Sequence, residues 1–144
     1  MVDRQGETLS FVACGVIKST PSLAFPSRLK EIHDGVLEVI ETHRPDQAAV
    51  EDVFMAKNAG SALKLGQARG AILMAILGRQ LLVHEFTAKQ VKQAVAGYGQ
   101  ASKAQVQHMV RLLLNLSASP SEDAADALAI ALCLTNHLRE GSVP

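Results

Sequence analysis

Long apolar runs, cysteine and aromatic residues are all in short supply in this 144-residue chain. Its apolar run over residues 71–77 falls far short of the roughly 20 residues that span a bilayer, and the first residues carry charge and glycine where a signal peptide needs an apolar stretch. No membrane partner is expected, and a cytoplasmic location follows by default. Only two cysteines, Cys14 and Cys133, are present, and their separation matches neither metal-ligand nor redox spacing. They read as reduced, buried thiols without a function. The histidines His33, His43, His84, His108 and His137 form no ligand-spaced cluster, which argues against a histidine zinc site. Aromatics amount to 3%, without tryptophan, and no internal repeat or low-complexity tract interrupts the chain. What is there is 48% hydrophobic content, enough for a single soluble domain around one core.

Net charge is absent as well, but only as a sum. Residues 54–112 carry eight basic side chains against one acid, a local charge of +7. Residues 1–53 stand at −4 and residues 113–144 at −3. A neutral total therefore conceals a basic middle, the footprint expected where phosphates lie.

The segment Asp3-Arg4-Gln5-Gly6-Glu7 reads as the turn of a hairpin whose second strand spans residues 9–17. Ser27 opens an amphipathic helix with Leu29, Ile32, Val36, Val39 and Ile40 on one face, and Pro45-Asp46 ends it. A short buried strand is expected over 47–53, a long helix over 59–77 and a further strand over 81–86. Helices over 87–96 and 102–114 follow, separated by a Gly97-Tyr98-Gly99 turn. Ser119-Pro120-Ser121-Glu122 reads as a capping box with Ser119 as the cap, Pro at the first helical position and Glu at the third. The expected organisation is one α/β domain over residues 1–138, helix-rich in its second half, with a flexible tail at 139–144.

The residues with chemistry fall in three places. Ala48-Ala49-Val50-Glu51 ends a strand in a carboxylate, Phe54 follows three residues later, and Lys57, Asn58, Lys64 and Arg69 lead along the next helix. An acid joined to a basic surface in this way suggests metal chemistry on a phosphate backbone. Taken alone, Glu51 is an ordinary solvated acid and Phe54 an ordinary core aromatic. Asp52 belongs to the opposite face of the pleat. Asp123 and Asp126 stand three apart near the start of the last helix, so both project from one face. Acids in a first helical turn commonly serve only the helix dipole. Here the small Ala124, Ala125, Ala127, Ala129 and Ala131 would let the helix lie close to a sheet. Lys89 and Lys92 lie three apart, on what should be one helix face, and Lys103 opens the next helix; lysines at such positions are otherwise solvated surface.

These stretches also resemble a known family. From residue 12 to residue 137 their order, together with Gln90-Val91-Lys92-Gln93-Ala94-Val95, Lys103-Ala104-Gln105-Val106-Gln107 and Asp123-Ala124-Ala125-Asp126-Ala127-Leu128-Ala129, is similar to that of the RuvC-type Holliday junction resolvases. The resemblance implies a ribonuclease-H-like mixed sheet flanked by helices. It implies metal-binding carboxylates at Glu51, Asp123 and Asp126, with Lys92 and Lys103 near the scissile phosphate, where a cation offsets charge developing in the transition state. Phe54 would stack on junction bases, and Lys57, Asn58, Lys64, Arg69 and Lys89 would contact DNA. The implied cofactor is a pair of Mg²⁺ ions, with Mn²⁺ as the other ion that oxygen-only ligands favour. The implied reaction is symmetric hydrolysis of a four-way junction by a homodimer, a symmetry that suits the substrate. Gly66, Gly70, Ala71 and Ala75 on the long helix would form the dimer contact, and a branch-migration motor complex would be a further partner.

The family opens with a strand carrying a Gly-Ile-Asp-Pro-Gly-like segment, whose Asp is the first catalytic carboxylate. No such segment precedes Asp3, so the expected domain is N-terminally truncated and its sheet lacks that central strand. The alternatives to an active nuclease are therefore a catalytically incomplete junction-binding protein and a fragment without stable function.

Overall fold

The computed structural model describes residues 1–52 and 57–141. Its elements run β1 (Val2–Gln5), β2 (Thr8–Phe11), α1 (Phe25–His43), β3 (Gln47–Asp52), α2 (Ala59–Leu77), β4 (Leu82–Thr87), α3 (Ala88–Ala96), α4 (Lys103–Leu113) and α5 (Glu122–Glu140). Among the described residues the strands form two two-stranded sheets, β1 with β2 and β3 with β4. No described helix is long and apolar enough to cross a membrane. Contacts divide the chain into two compact units, each discontinuous in sequence. The first comprises Met1–Val16, Ala49–Asp52 and Glu85–Pro144, and the second Ile17–Ala48 and Val53–His84.

In the first unit, β1 and β2 pair antiparallel with Val2 opposite Phe11 and Gln5 opposite Thr8. Gly6, at φ +62°, is the first central residue of the two-residue turn, the place where a tight hairpin of type II′ calls for glycine. Asp3 therefore lies within a strand, opposite Ser10, and not in the turn. The second strand stops at Phe11 instead of reaching residue 17. Its last rungs are Val12 N–H to the Met1 carbonyl at 3.1 Å and the Met1 amino group to the Ala13 carbonyl at 2.6 Å. Cys14, expected to be buried, is exposed just beyond this ladder, whereas Cys133 is buried in the core.

Three helices build that core, each with a pair of apolar residues one turn apart: Val91 and Val95 on α3, Val106 and Val110 on α4, Leu128 and Leu132 on α5. Thr87 and Gln90 close a capping box on α3, and Ser102 and Gln105 close one on α4. Gly97 takes the left-handed conformation, φ +88°, that ends α3. Ser121, not Ser119, caps α5, its hydroxyl accepting from Ala124 N–H at 3.4 Å; Pro120 thus precedes the cap. With the start moved to Glu122, two acids fall in the first turn, where they complement the helix dipole. The hairpin is fixed to α5 by Arg4, whose guanidinium donates to the Thr135 carbonyl at 2.6 Å, while Val2, Leu9 and, from β3, Ala49 pack against the core.

In the second unit α1 packs on α2. The segment leading into α1 is tied back to it by Thr20, whose N–H and hydroxyl both donate to the Glu31 carboxylate at 2.7 Å, which holds that carboxyl below its ordinary range. A Cβ at Gly35 would lie 2.7 Å from Ile17 Cγ2, so glycine is what admits this segment onto α1. On α2 only Ala75 and Ile76 are buried, whereas Leu63, Leu65, Met74 and Leu77 are exposed.

Candidate functional site

Glu51, Lys92, Lys103 and Asp126 line one cleft of about 190 Å³ in the first unit. Its apolar floor comes from Ala88 and Val91 on α3, Val106 on α4, and Ala129 and Ile130 on α5. Each polar group arrives from a different element. Glu51 projects from the end of β3, exposed although the strand was expected to be buried. Lys92 is half-buried, as is Asp126, and lies on the face of α3 next to buried Val91. Lys103 is the first residue of α4, and Asp126 lies one turn into α5, on a helix whose Ala125 and Ala129 are buried and so allow close packing.

The charges are connected. Lys103 Nζ lies 3.3 Å from Asp126 Oδ2 and hydrogen-bonds the Glu122 carboxylate. The hydrogen bond to Glu122, and secondly that to Asp126, raises the Lys103 pKa above its ordinary 10.5, and the same ammonium lowers that of Glu122 below its ordinary 4.5. Both shifts describe one solvated charge cluster at the mouth of the cleft. Glu122 was read in the sequence only as the acid of a capping box, because its partner Lys103 is nineteen residues away.

Other expected site residues lie elsewhere. Asp123 is exposed in the first turn of α5 and is not among the residues lining the cleft. Lys89 faces a different groove, of about 760 Å³, formed with Phe86, Gln93, Asn136 and His137. Three residues along α3 thus separate it from the cleft that Lys92 lines. In the second unit, Asn58 caps α2 through its Oδ1, which accepts from Ser61 N–H at 2.9 Å. Lys57 is exposed beside it, Lys64 sits 5.8 Å over the ring of Phe25, and Arg69 is half-buried on α2. Phe54 lies outside the described residues.

Two carboxylates without nitrogen or sulfur donors suit a hard cation such as Mg²⁺ or Mn²⁺ in kind. In number they fall short, since no group of three or more His, Cys, Asp or Glu side chains is placed to hold a metal among the described residues. Two acids and two lysines around a small cleft are instead suited to a phosphodiester approached by a cation from one side.

A family model described as crossover junction endodeoxyribonuclease RuvC matches residues 1–134. The chain belongs to the RuvC family. Among its RuvC relatives, the crossover junction endodeoxyribonuclease of Saccharophagus degradans is 54% identical over 136 residues, 94% of this chain and 79% of that protein. The RuvC of Cronobacter sakazakii is 55% identical over 132 residues, 92% of this chain and 76% of that protein. The solved structure of Thermus thermophilus RuvC in complex with a Holliday junction substrate matches at a TM-score of 0.90 and 38% identity, covering 98% of this chain and 87% of that one. The fold is accordingly the α/β, ribonuclease-H-like fold of RuvC.

Proposed function

We propose that this chain is a structure-selective endodeoxyribonuclease that resolves Holliday junctions in recombination and repair by metal-dependent hydrolysis of phosphodiester bonds. The observation that supports this most is the meeting of Glu51 and Asp126 with Lys92 and Lys103 in one cleft of a RuvC-family fold. Glu51 and Asp126 are the residues to hold a divalent cation, with Asp123 one turn earlier on α5 as a further ligand. The oxygen-only donor set supports Mg²⁺ as the ion, and two ions per site is the finer reading, carried by family likeness alone. When bound, such ions supply a more acidic water and neutralise charge on the phosphate oxygens. Lys92, held half-buried beside the acids, presents its ammonium to the same phosphate. Lys57, Lys64, Arg69 and Lys89 would fix the junction arms through phosphate contacts, and Phe54 would stack on a base.

Exposed Leu63, Leu65, Met74 and Leu77, on the helix whose Gly66 and Gly70 have open space around them, support a homodimer formed through α2. Family likeness supports a branch-migration motor as partner and a cytoplasmic setting. Mapping the nicks in a junction labelled in turn on each strand tests the reading: paired cuts in two strands of like polarity, at symmetric positions, are expected. Cuts scattered over all four strands, or equal cutting of linear duplex, would contradict it.

One feature is also compatible with a second reading, which the RuvC family match does not favour. Lys103 stands against Asp126, and no three-acid group is assembled among the described residues. A protein that binds junctions without cutting them would have this arrangement too.

A further inference from the structure

Glu122 has no part in the reaction described above, yet its hydrogen bond is the leading influence on Lys103. Lys103 opens α4, where an ammonium is opposed by the positive end of the helix dipole. Its position there depends on carboxylates brought by tertiary contact, and its partners among the described residues are Glu122 and Asp126, both from the start of α5. The two are not equivalent: Asp126 lines the cleft and Glu122 does not.

We propose that Glu122 is a positioning residue, which anchors the Lys103 ammonium at the rim of the cleft and thereby leaves the Asp126 carboxylate available to a divalent cation. The proposal rests on the reading of the cleft as a cation site. A cation arriving at Asp126 repels the ammonium 3.3 Å away. With Glu122 in place, the ammonium shifts from a shared position to a carboxylate it already holds, and stays close enough to the cleft to face a phosphate. Without Glu122, Asp126 is the one remaining partner of Lys103 among the described residues. The cation must then displace Lys103 into water and compete with it for the same oxygens.

The test is a double-mutant cycle read by Mn²⁺ binding, from the electron paramagnetic resonance signal of the free ion, on the full chain. The variants are Glu122→Gln, Lys103→Met, the pair together, Glu122→Asp and Asp126→Asn. Glu122 and Lys103 are both exposed, so all should fold, as melting curves will verify. Glu122→Gln is expected to raise the half-saturating Mn²⁺ concentration by about two- to fivefold, the scale of an exposed ion pair. In the Lys103→Met background the same change should have little effect, and Glu122→Asp should restore most of the affinity. Equal weakening in both backgrounds would overturn the proposal, because Glu122 would then act on the cation directly; so would no weakening in either. If Asp126→Asn leaves Mn²⁺ binding unchanged, the cleft is not the cation site, and the functional reading falls together with this proposal.

Discussion

Replacing Leu128 with Ala should unsettle the cleft from below. Leu128 is fully buried, with Leu132 one turn along α5 and Val110 of α4 in the same core. The truncation removes about three methylene equivalents at about 0.8 kcal/mol each, and the cavity left behind adds to this, for a total of about 3–4 kcal/mol. With an unfolding entropy of about 0.3 kcal/mol/K for a chain of this length, Tm should fall by about 10 °C in a single transition. Asp126 and Ala129, which line the cleft, are two residues before and one after the new cavity. Nuclease activity should therefore decline even well below Tm, because small displacements of a reacting group are costly. Leu128→Met, which keeps the volume, should cost less than about 1.5 kcal/mol and leave activity close to wild type. The assay is scanning calorimetry beside cleavage of a labelled junction. A loss of less than about 3 °C for Leu128→Ala would refute the packing argument. Two transitions, of which one moves, would mean that the two units melt apart.

Ser121→Ala should cost about 1 kcal/mol through loss of the α5 cap, whereas Ser119→Ala should be close to neutral, both read as shifts in denaturant midpoint. Lys92→Ala should lower the cleavage rate by about a hundredfold with little change in junction affinity, a division that separates rate from binding in single-turnover kinetics. The pair formed by Lys103 and Glu122 gives a pH signature. Glu122, lowered by Lys103, contributes stability above its ordinary 4.5 and loses it as pH falls through its depressed value. Lys103, raised chiefly by Glu122, contributes below its ordinary 10.5 and loses that as pH rises through its elevated value. The Tm difference between wild type and Glu122→Gln should thus be constant from about pH 5.5 to 9.5 and vanish in acid; persistence below about pH 3 would show that the pair is not its source.

Local signals served well where the backbone decides. The bounds of α2 were legible in full, and α3 and α4 to within a residue; glycines, Gly78 and Gly97, directly follow α2 and α3. They failed where two local solutions compete. Ser119 and Ser121 both offer a cap, and the residue types alone do not say that Ser121 is the one that accepts from Ala124 N–H. The second hairpin strand was drawn too long because β-forming residues continue to residue 17, although pairing ends with the contacts of Met1 to Val12 and Ala13. In the site, Glu51, Lys92, Lys103 and Asp126 were picked out through family resemblance, since spacing alone cannot bring β3, α3, α4 and α5 together. Glu122 lacked even that signal. A lysine at the start of a helix was the clue, because it needs a carboxylate from elsewhere.

Cleavage of an end-labelled four-way junction by the wild-type chain and by Asp126→Asn, with binding followed on native gels in the same reactions, tests the central claim most directly. The account predicts Mg²⁺-dependent paired nicks from the wild type, and from the variant a bound but uncut junction. Wild-type binding without nicks at any Mg²⁺ or Mn²⁺ concentration, or undiminished cleavage by Asp126→Asn, would contradict it.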